Sequence, residues 1–414
     1  MKINLVPLSI NFLKDSAEGP YLTALDGNSY IDLTGGFGPN VLGNKAKVVE
    51  NALASQVKKG WHYGIPGAEQ TELAELIKDS SSGVDEVMFC NSGSEATMFA
   101  FRAARAFTGK RVVALFDGSY HGIHDYALVK AHQKSDRSEP TSVTLGAGIP
   151  EEISRDLMMM LPYRDAKAYE LIRKHKDNLA LVVIEPVQSS NPRLDNQEFL
   201  DGLRDVCSEC EVLLMFDEVI TGFRIEYGGC QQYYNIHPDL VTYGKAAGGG
   251  MPIGVVAGSK AVMNTFSGAD DTPTIFAGGT FNGNPLTMAG GIAALNYLKE
   301  NQEEIYPYLH EQGNRIASEI NDFCKSNNIR VQMMNAGSMM HLIFSGETIN
   351  SSRDIDHSQY KLEKEFYLHL LGHNVIVPGI HLAFISYAHT PDIVDKVIDA
   401  FKKTFEDLRE DGHL

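Results

Sequence analysis

A chain of 414 residues is too long for a single hydrophobic core, so a large domain accompanied by a smaller one is expected. Its 53 acidic residues against 36 lysines and arginines give a net charge of −17, which argues against nucleic acid and anionic membrane surfaces as partners. Hydrophobic residues make up 43% and charged residues 21%, as in an ordinary soluble globular enzyme, and there is no run of about 18 apolar residues to insert into a membrane.

At the N-terminus Pro7, Asn11 and Asp15 interrupt any signal-peptide core, so a cytoplasmic protein is expected. Tyr21 to Leu33 (YLTALDGNSYIDL) reads as a hairpin turning at Asp26 and Gly27. It leads into GGFGP at Gly35 to Pro39, too rich in glycine to be regular. Helical periodicity follows over roughly Ala46 to Lys59 and Gly67 to Lys78, the second with Leu73, Leu76 and Ile77 on one face. Val84 to Phe89 reads as a strand, followed by Asn91-Ser92-Gly93-Ser94-Glu95-Ala96 and a helix to about Phe107. A small-residue turn between strand and helix aims N–H groups and hydroxyls at an anion. The same serine and glutamate also make an ordinary helix cap.

Arg111 to Phe116 is a second strand, and the loop after it, DGSYHG, carries Tyr120. An aromatic there either stacks on a flat ring or covers the sheet end. The polar stretch Lys130 to Pro150 reads as a mobile loop. Leu179 to Ile184 is a third strand, ending in Glu185-Pro186-Val187-Gln188. Cys207 and Cys210 form a C-x-x-C within a helical pattern (Phe199, Leu200, Leu203, Val206), with no second pair to complete a zinc site. Reduced thiols are expected. His369 and His373 have the spacing of a zinc helix, but Leu370 stands where the catalytic glutamate belongs, so they read as structural and no metal is expected.

The chain is organised around Leu213 to Gly254. One apolar run, Val212 to Phe216, stops at Asp217; another, Leu240 to Tyr243, stops at Gly244-Lys245. In open α/β sheets ligands bind outside the carboxyl ends of the strands, so this carboxylate and amine face one crevice. The pairing fits pyridoxal phosphate chemistry, with the lysine as Schiff-base former and the acid holding the pyridine nitrogen protonated. The nearby glycines fit no nucleotide motif: alanine follows Lys245, Asp239 replaces the first P-loop glycine, and Ile253 stands where the Rossmann pattern needs glycine. The repeated order of strand, loop residue and helix predicts a mostly parallel sheet covered on both faces. From about Glu300 a long amphipathic helix to about Ser326, a strand pair near Ile329 to Phe344, a further helix and a last helix from Pro391 make an α+β unit.

FDEVITGFR and PDLVTYGKAAGGGMPIG, with NSGSEA, the Y-H-G triplet and E-P-x-Q, resemble the class III (ω-type) aminotransferases from about Tyr21 to the last helix. Within that family the glutamate-1-semialdehyde aminomutase branch is the most similar. The resemblance implies an α/β, fold-type I transferase. Its large domain (46–295) would hold a mostly parallel sheet of seven-stranded type covered by helices, beside a small α+β domain built from residues 1–45 and 296–414. It implies pyridoxal 5'-phosphate as cofactor and Lys245 and Asp217 as the catalytic pair. Ser92, Gly93 and Ser94 become the phosphate cup, Tyr120 the stacking aromatic with His121 beside it, and Glu185 a neighbour of lysine and ring; Val219 lies against the cofactor. Thr280, in GGTFNGNP, would reach the cofactor phosphate of a neighbouring subunit, which implies a homodimer with shared active sites. A gating loop is implied near residues 130–150. The aminomutases' asparagine five residues after the glutamate is Ser190 here, with Asn191 next to it.

The arginines depart from the family pattern. The first is Arg102, so the aminomutase's N-terminal carboxylate-binding arginine has no counterpart among residues 1–44, whose only bases are Lys2 and Lys14. None lies between Arg353 and Arg409, where many ω-aminotransferases bind the α-carboxylate. Lysine is no equal replacement for a bidentate guanidinium. The expected activity is therefore amino transfer from an amine or amino acid donor to a carbonyl acceptor without a free carboxylate at the usual place: an aldehyde, a ketone or a carrier-tethered acyl chain. Phe37, Trp61 and Tyr63 either line an apolar entrance or belong to the core. A glutamate-1-semialdehyde-type aminomutase is the alternative, and a non-catalytic binding protein on the same fold is the alternative of another class.

Overall fold

The computed structural model describes residues 14–355, 357–377 and 382–414. The N-terminal stretch read for signal-peptide character lies almost wholly outside them. The chain divides into two units, one of Asn51–Ser189 and Asp195–Glu300, the other of residues 14–50 with Ser190–Leu194 and Asn301–Leu414.

The first unit is built on seven strands: β1 (Glu86–Cys90), β2 (Val112–Phe116), β3 (Met158–Leu161), β4 (Leu179–Ile184), β5 (Leu213–Glu218), β6 (Leu240–Gly244) and β7 (Gly254–Gly258). Their order is β1-β7-β6-β5-β4-β2-β3. Strands β6, β5, β4, β2 and β3 are parallel, and β7 alone runs antiparallel to both its neighbours. All six side chains of LALVVI in β4 are buried, as a central parallel strand covered on both faces requires. Helix α1 (Gly93–Thr108) buries Ala96, Phe99, Ala100, Phe101, Ala103 and Ala104. Phe99, Phe101, Ala96, Ala100 and Ala104 form one core cluster with Val113, Leu115, Val183, Met215 and Val256.

Strand β5 continues past Phe216 through Asp217 and Glu218, where the apolar run suggests an end. Both carboxylates are buried and each finds several donors, so polarity does not stop the strand. Within the polar segment 130–150, Val129–Ala131 pairs antiparallel with Ser142–Thr144. Three-residue strands are too short to show their alternation against a polar tip. All five cysteines are free and buried.

The second unit mixes short sheets with helices. Tyr21–Ala24 and Ser29–Asp32 form the hairpin, flanked by Lys14–Glu18 and, in parallel, Val375–Ile376. Gln332–Ala336 and Met339–Ile343 pair antiparallel beside Ala383–Phe384. Helices Tyr360–Gly372 and Pro391–Glu410 meet through Phe366 on Phe401 and Phe405. His369 and His373 serve the same junction: His373 Nε2 lies 2.6 Å from Asp407 Oδ2 and His369 Nε2 3.4 Å from Asp411 Oδ2. Among the described residues no helix is long and apolar enough to cross a membrane.

Candidate functional site

Three neighbouring parallel strands, β4, β5 and β6, end side by side, and each delivers one ionisable group: Glu185 just after β4, Asp217 near the end of β5, Lys245 just after β6. Lys245 opens a short turn, Lys245–Gly248, with its φ at +46°, in the left-handed region. For a residue with a side chain that conformation costs on the order of 1 kcal/mol. It turns the chain sharply away from the strand.

Asp217 is held by three bonds. Its Oδ2 lies 2.7 Å from His121 Nδ1, and its Oδ1 accepts from the Val219 amide and from Thr242 Oγ1, each at 3.1 Å. Aspartate and histidine are both buried. Glu185 accepts from the Tyr120 amide at 3.0 Å and the Ser189 amide at 3.4 Å. Gln188, the last residue of E-P-x-Q, donates to the Asp117 carbonyl at 2.8 Å and to Ser119 Oγ at 3.1 Å. The E-P-x-Q turn thus fixes the loop that carries Tyr120 and His121.

Burial pushes the Glu185 carboxyl up to about 7, with Asp217 adding to the rise and His121 and the Tyr120 amide opposing it. Burial lowers the Lys245 amine to about 8, although Glu185 and Asp217 hold it up; Arg224 adds to the fall. The Tyr120 hydroxyl is raised by burial and by both acids. These groups therefore share one electrostatic environment, as reacting groups commonly do.

The turn before α1 forms the ordinary cap. Ser92 Oγ accepts from the Glu95 amide at 3.2 Å, and Glu95 Oε2 accepts from the Asn91 amide at 2.8 Å. Helix geometry still leaves the amides of Gly93 and Ser94 without an intrahelical acceptor, so the cap does not use up the donors that an anion cradle requires. A Cβ on Gly93 would lie 2.7 Å from Val219 Cγ1, and one on Gly244 would lie 3.2 Å from the same atom. Val219 is thereby wedged between the α1 turn and the lysine turn. Gly122, at φ +102°, brings the Tyr120 loop within 2.6 Å of Ser94 Oγ (measured from the position a Cβ would take), and Ser94 Oγ accepts from the Ile123 amide at 3.1 Å.

Ser92, Gly93, Ser94, Tyr120, His121, Glu185, Asp217, Val219 and Lys245 are thus brought to one end of the sheet. Thr280 is exposed and has no hydrogen bond to the Ser92–Ser94 turn among the described residues. Its loop is tied down by Asn91 Nδ2 to Asn282 Oδ1 at 2.7 Å, Gln70 Nε2 to the Gly283 carbonyl at 2.8 Å and Arg102 Nη1 to the Phe276 carbonyl at 2.6 Å. Trp61 and Tyr63 are exposed, so they are not core; Phe37 is half-buried in the second unit. Ser190 and Asn191 also belong to the second unit.

Sequence reasoning missed Thr242, Thr97, His124 and Glu218. The adjacent acids of F-D-E offered one signal, since consecutive strand residues face opposite sides of a sheet. Thr242 is recognisable only from the register that sets it opposite Asp217. Among the described residues no group of three or more His, Cys, Asp or Glu is placed to hold a metal ion.

Comparison with known proteins gives one family and one fold. The aminotransferase class-III family model matches residues 7–407. A glutamate-1-semialdehyde 2,1-aminomutase from Hyperthermus butylicus is 37% identical over 405 residues, covering 96% of this chain and 92% of that protein. An ω-transaminase from Sphaerobacter thermophilus superposes with a TM-score of 0.92 at 28% identity, over 99% of this chain and 94% of its own. A transaminase with PLP bound superposes with a TM-score of 0.88 at 26% identity, over 100% of this chain and 95% of its own. The fold is fold-type I.

Proposed function

The chain belongs to the class III aminotransferases, whose cofactor is pyridoxal 5'-phosphate, and from that premise we propose that it moves amino groups at the cofactor through Lys245. The observation that carries the reading is Lys245 itself: partly buried, set in a left-handed turn after β6, and with its amine lowered to about 8 between two acids. When bound, pyridoxal phosphate supplies a carbonyl carbon that condenses with amines and a ring that draws off electrons.

The donor set fits that group. The Gly93 and Ser94 amides would receive the phosphate at the α1 N-terminus. Asp217 would pair with the ring nitrogen, and Tyr120 would cover a ring face. Lys245 Nζ would hold the cofactor covalently and, when free, would serve as general base and acid at the substrate carbon. Glu185 sits within electrostatic reach of that amine. A homodimer completes the site with Thr280 of the neighbouring subunit. Exposed Phe276, Phe281, Trp61 and Ile65 supply apolar surface for that contact.

Two forms of the reaction are supported by different observations. The name of the aminomutase relative favours a shift of nitrogen within one molecule of the glutamate-1-semialdehyde type. The missing arginines among residues 1–44 and 354–408 favour transfer between two molecules, with an acceptor that carries no carboxylate at the usual place.

Borohydride reduction of the cofactor-loaded protein, followed by peptide mapping, is expected to mark Lys245. A mark on another lysine overturns the reading. The unreduced cofactor-loaded protein, given glutamate-1-semialdehyde alone, forms product without a second carbonyl compound if the shift is intramolecular. A requirement for separate donor and acceptor establishes transfer. Strong preference for a free acid over its ester or aldehyde removes the carboxylate-free acceptor.

A further inference from the structure

Behind Asp217 lies a layer of polar groups to which amino transfer assigns no role. Thr97 Oγ1 lies 2.7 Å from the His121 carbonyl oxygen, 3.1 and 3.2 Å from those of Gly93 and Ser94, and 3.2 Å from His124 Nε2. Carbonyls only accept, and a threonine hydroxyl has one proton to give. That proton goes to a carbonyl, with His121 the nearest. His124 Nε2 must then be the donor in the fourth contact.

Burial, helped by His121 and Arg105, lowers His124 to about 4, so its ring is neutral and carries a single N–H. With Nε2 protonated, Nδ1 is a bare lone pair, and that buried atom has no hydrogen-bond partner among the described residues. On the other ring, Nδ1 of His121 is taken by Asp217 at 2.7 Å, while buried Nε2 has no partner among the described residues. Two orphaned ring nitrogens thus sit on residues three apart in one loop, and the two rings feel each other's charge. Buried polar atoms left this way are rare in folded proteins, and a bound water commonly satisfies them.

We propose that His124 and Thr97 are positioning residues for Asp217, acting through a buried relay in which one water joins His124 Nδ1 to His121 Nε2. Thr97 fixes the His124 tautomer, the water fixes the His121 ring, and His121 fixes the carboxylate that meets the ring nitrogen of the cofactor. The His124 ring also packs edge-on to Phe101 at 5.2 Å and tilted against Tyr126 at 6.4 Å. The proposal rests on the reading of Asp217 given above.

Nitrogen-15 NMR of histidine-labelled protein reads the relay directly, with and without cofactor. His124 is expected to show a pyridine-like Nδ1 and a pyrrole-like Nε2; the reverse pattern overturns the proposal. His124→Phe removes both ring nitrogens and is expected to weaken cofactor binding about tenfold, the loss typical of one hydrogen bond in a chain ending on a charged group. It should also shift the visible absorption maximum. His124→Asn keeps an acceptor near the Nδ1 position and is expected to recover most of both; Thr97→Val should disturb the His124 nitrogen signals. Normal cofactor dissociation and spectrum in His124→Phe, with both altered in Asp217→Asn, overturns the relay alone. Normal values in Asp217→Asn overturn the reading of Asp217 beneath it. The wild-type spectra and Thr97→Val keep the test decisive should His124→Phe fold poorly.

Discussion

Asp217 and Glu218 are adjacent carboxylates that the pleat of β5 sends to opposite faces, with different consequences. Asp217 turns to the crevice. Glu218 is fully buried and accepts from the amides of Cys230 at 2.6 Å and Gln231 at 3.1 Å and from Thr221 Oγ1 at 3.0 Å. It anchors the start of helix Gly229–Tyr234 to the strand that carries Asp217. Burial pushes Glu218 up to about 7 against the pull of those donors, and Glu185 likewise reaches about 7. Both folded values lie above the unfolded ones, so each acid contributes stability that is fully present below about pH 4.5 and lost as pH rises through about 7. Each is worth at most about 3 kcal/mol. Denaturant titrations across this pH range should show stability falling from pH 5 to 7.5. In Glu218→Gln the fall should be about half as large, on top of a loss of about 1–3 kcal/mol from one acceptor turned donor. An unchanged pH slope would remove Glu218 as its source.

At the level of elements, the cradle depends on how closely α1, the lysine turn and the end of β5 approach one another, and Val219 measures that distance. A methyl group at position 93 would stand 2.7 Å from Val219 Cγ1, closer than real contacts allow, and a β-branched side chain has little freedom to retreat. Gly93→Ala is therefore expected to cost about 1–3 kcal/mol and to weaken cofactor binding. Adding Val219→Ala should restore both, and the coupling in that double-mutant cycle, followed by thermal melts and cofactor titration, is the readout. Additive losses would show that Val219 is not the obstacle.

The same elements show what is legible in advance. Glu185, Asp217 and Lys245 each follow an apolar run, which is why they are recognisable as residues at strand ends. Strand β7 is not, because Gly254-Val-Val-Ala-Gly258 continues a glycine-rich stretch and is bounded by glycine at both ends. Strand β3, MMML, lacks the β-branched residues that signal a strand. The His121 contact with Asp217 joins residues 96 apart, and only the packed sheet brings them together.

At the scale of the whole molecule, a single chain leaves one expected site residue apart from the rest. Thr280 is exposed on a loop that is nonetheless latched to Asn91, Gln70 and Arg102, so its position is fixed while its side chain faces outward. Phe276, 91% exposed, and Phe281, 59% exposed, flank it, surface that a lone subunit would leave in water. A homodimer in which Thr280 serves the neighbouring site makes a specific demand on mixtures of defective subunits. Lys245→Ala should abolish covalent cofactor capture in its own site, and Thr280→Ala should weaken phosphate retention in the partner's. A mixed dimer then holds one site with Lys245 from one subunit and Thr280 from the other, and a second site lacking both. Refolding the two variants together should restore tight cofactor binding to one site per mixed dimer, while each variant alone restores none. If Thr280 instead acts within its own chain, the Lys245-bearing subunit lacks it in every combination, and mixing restores nothing. Sedimentation of the same samples, reporting the dimer directly, separates that outcome from a failure to associate.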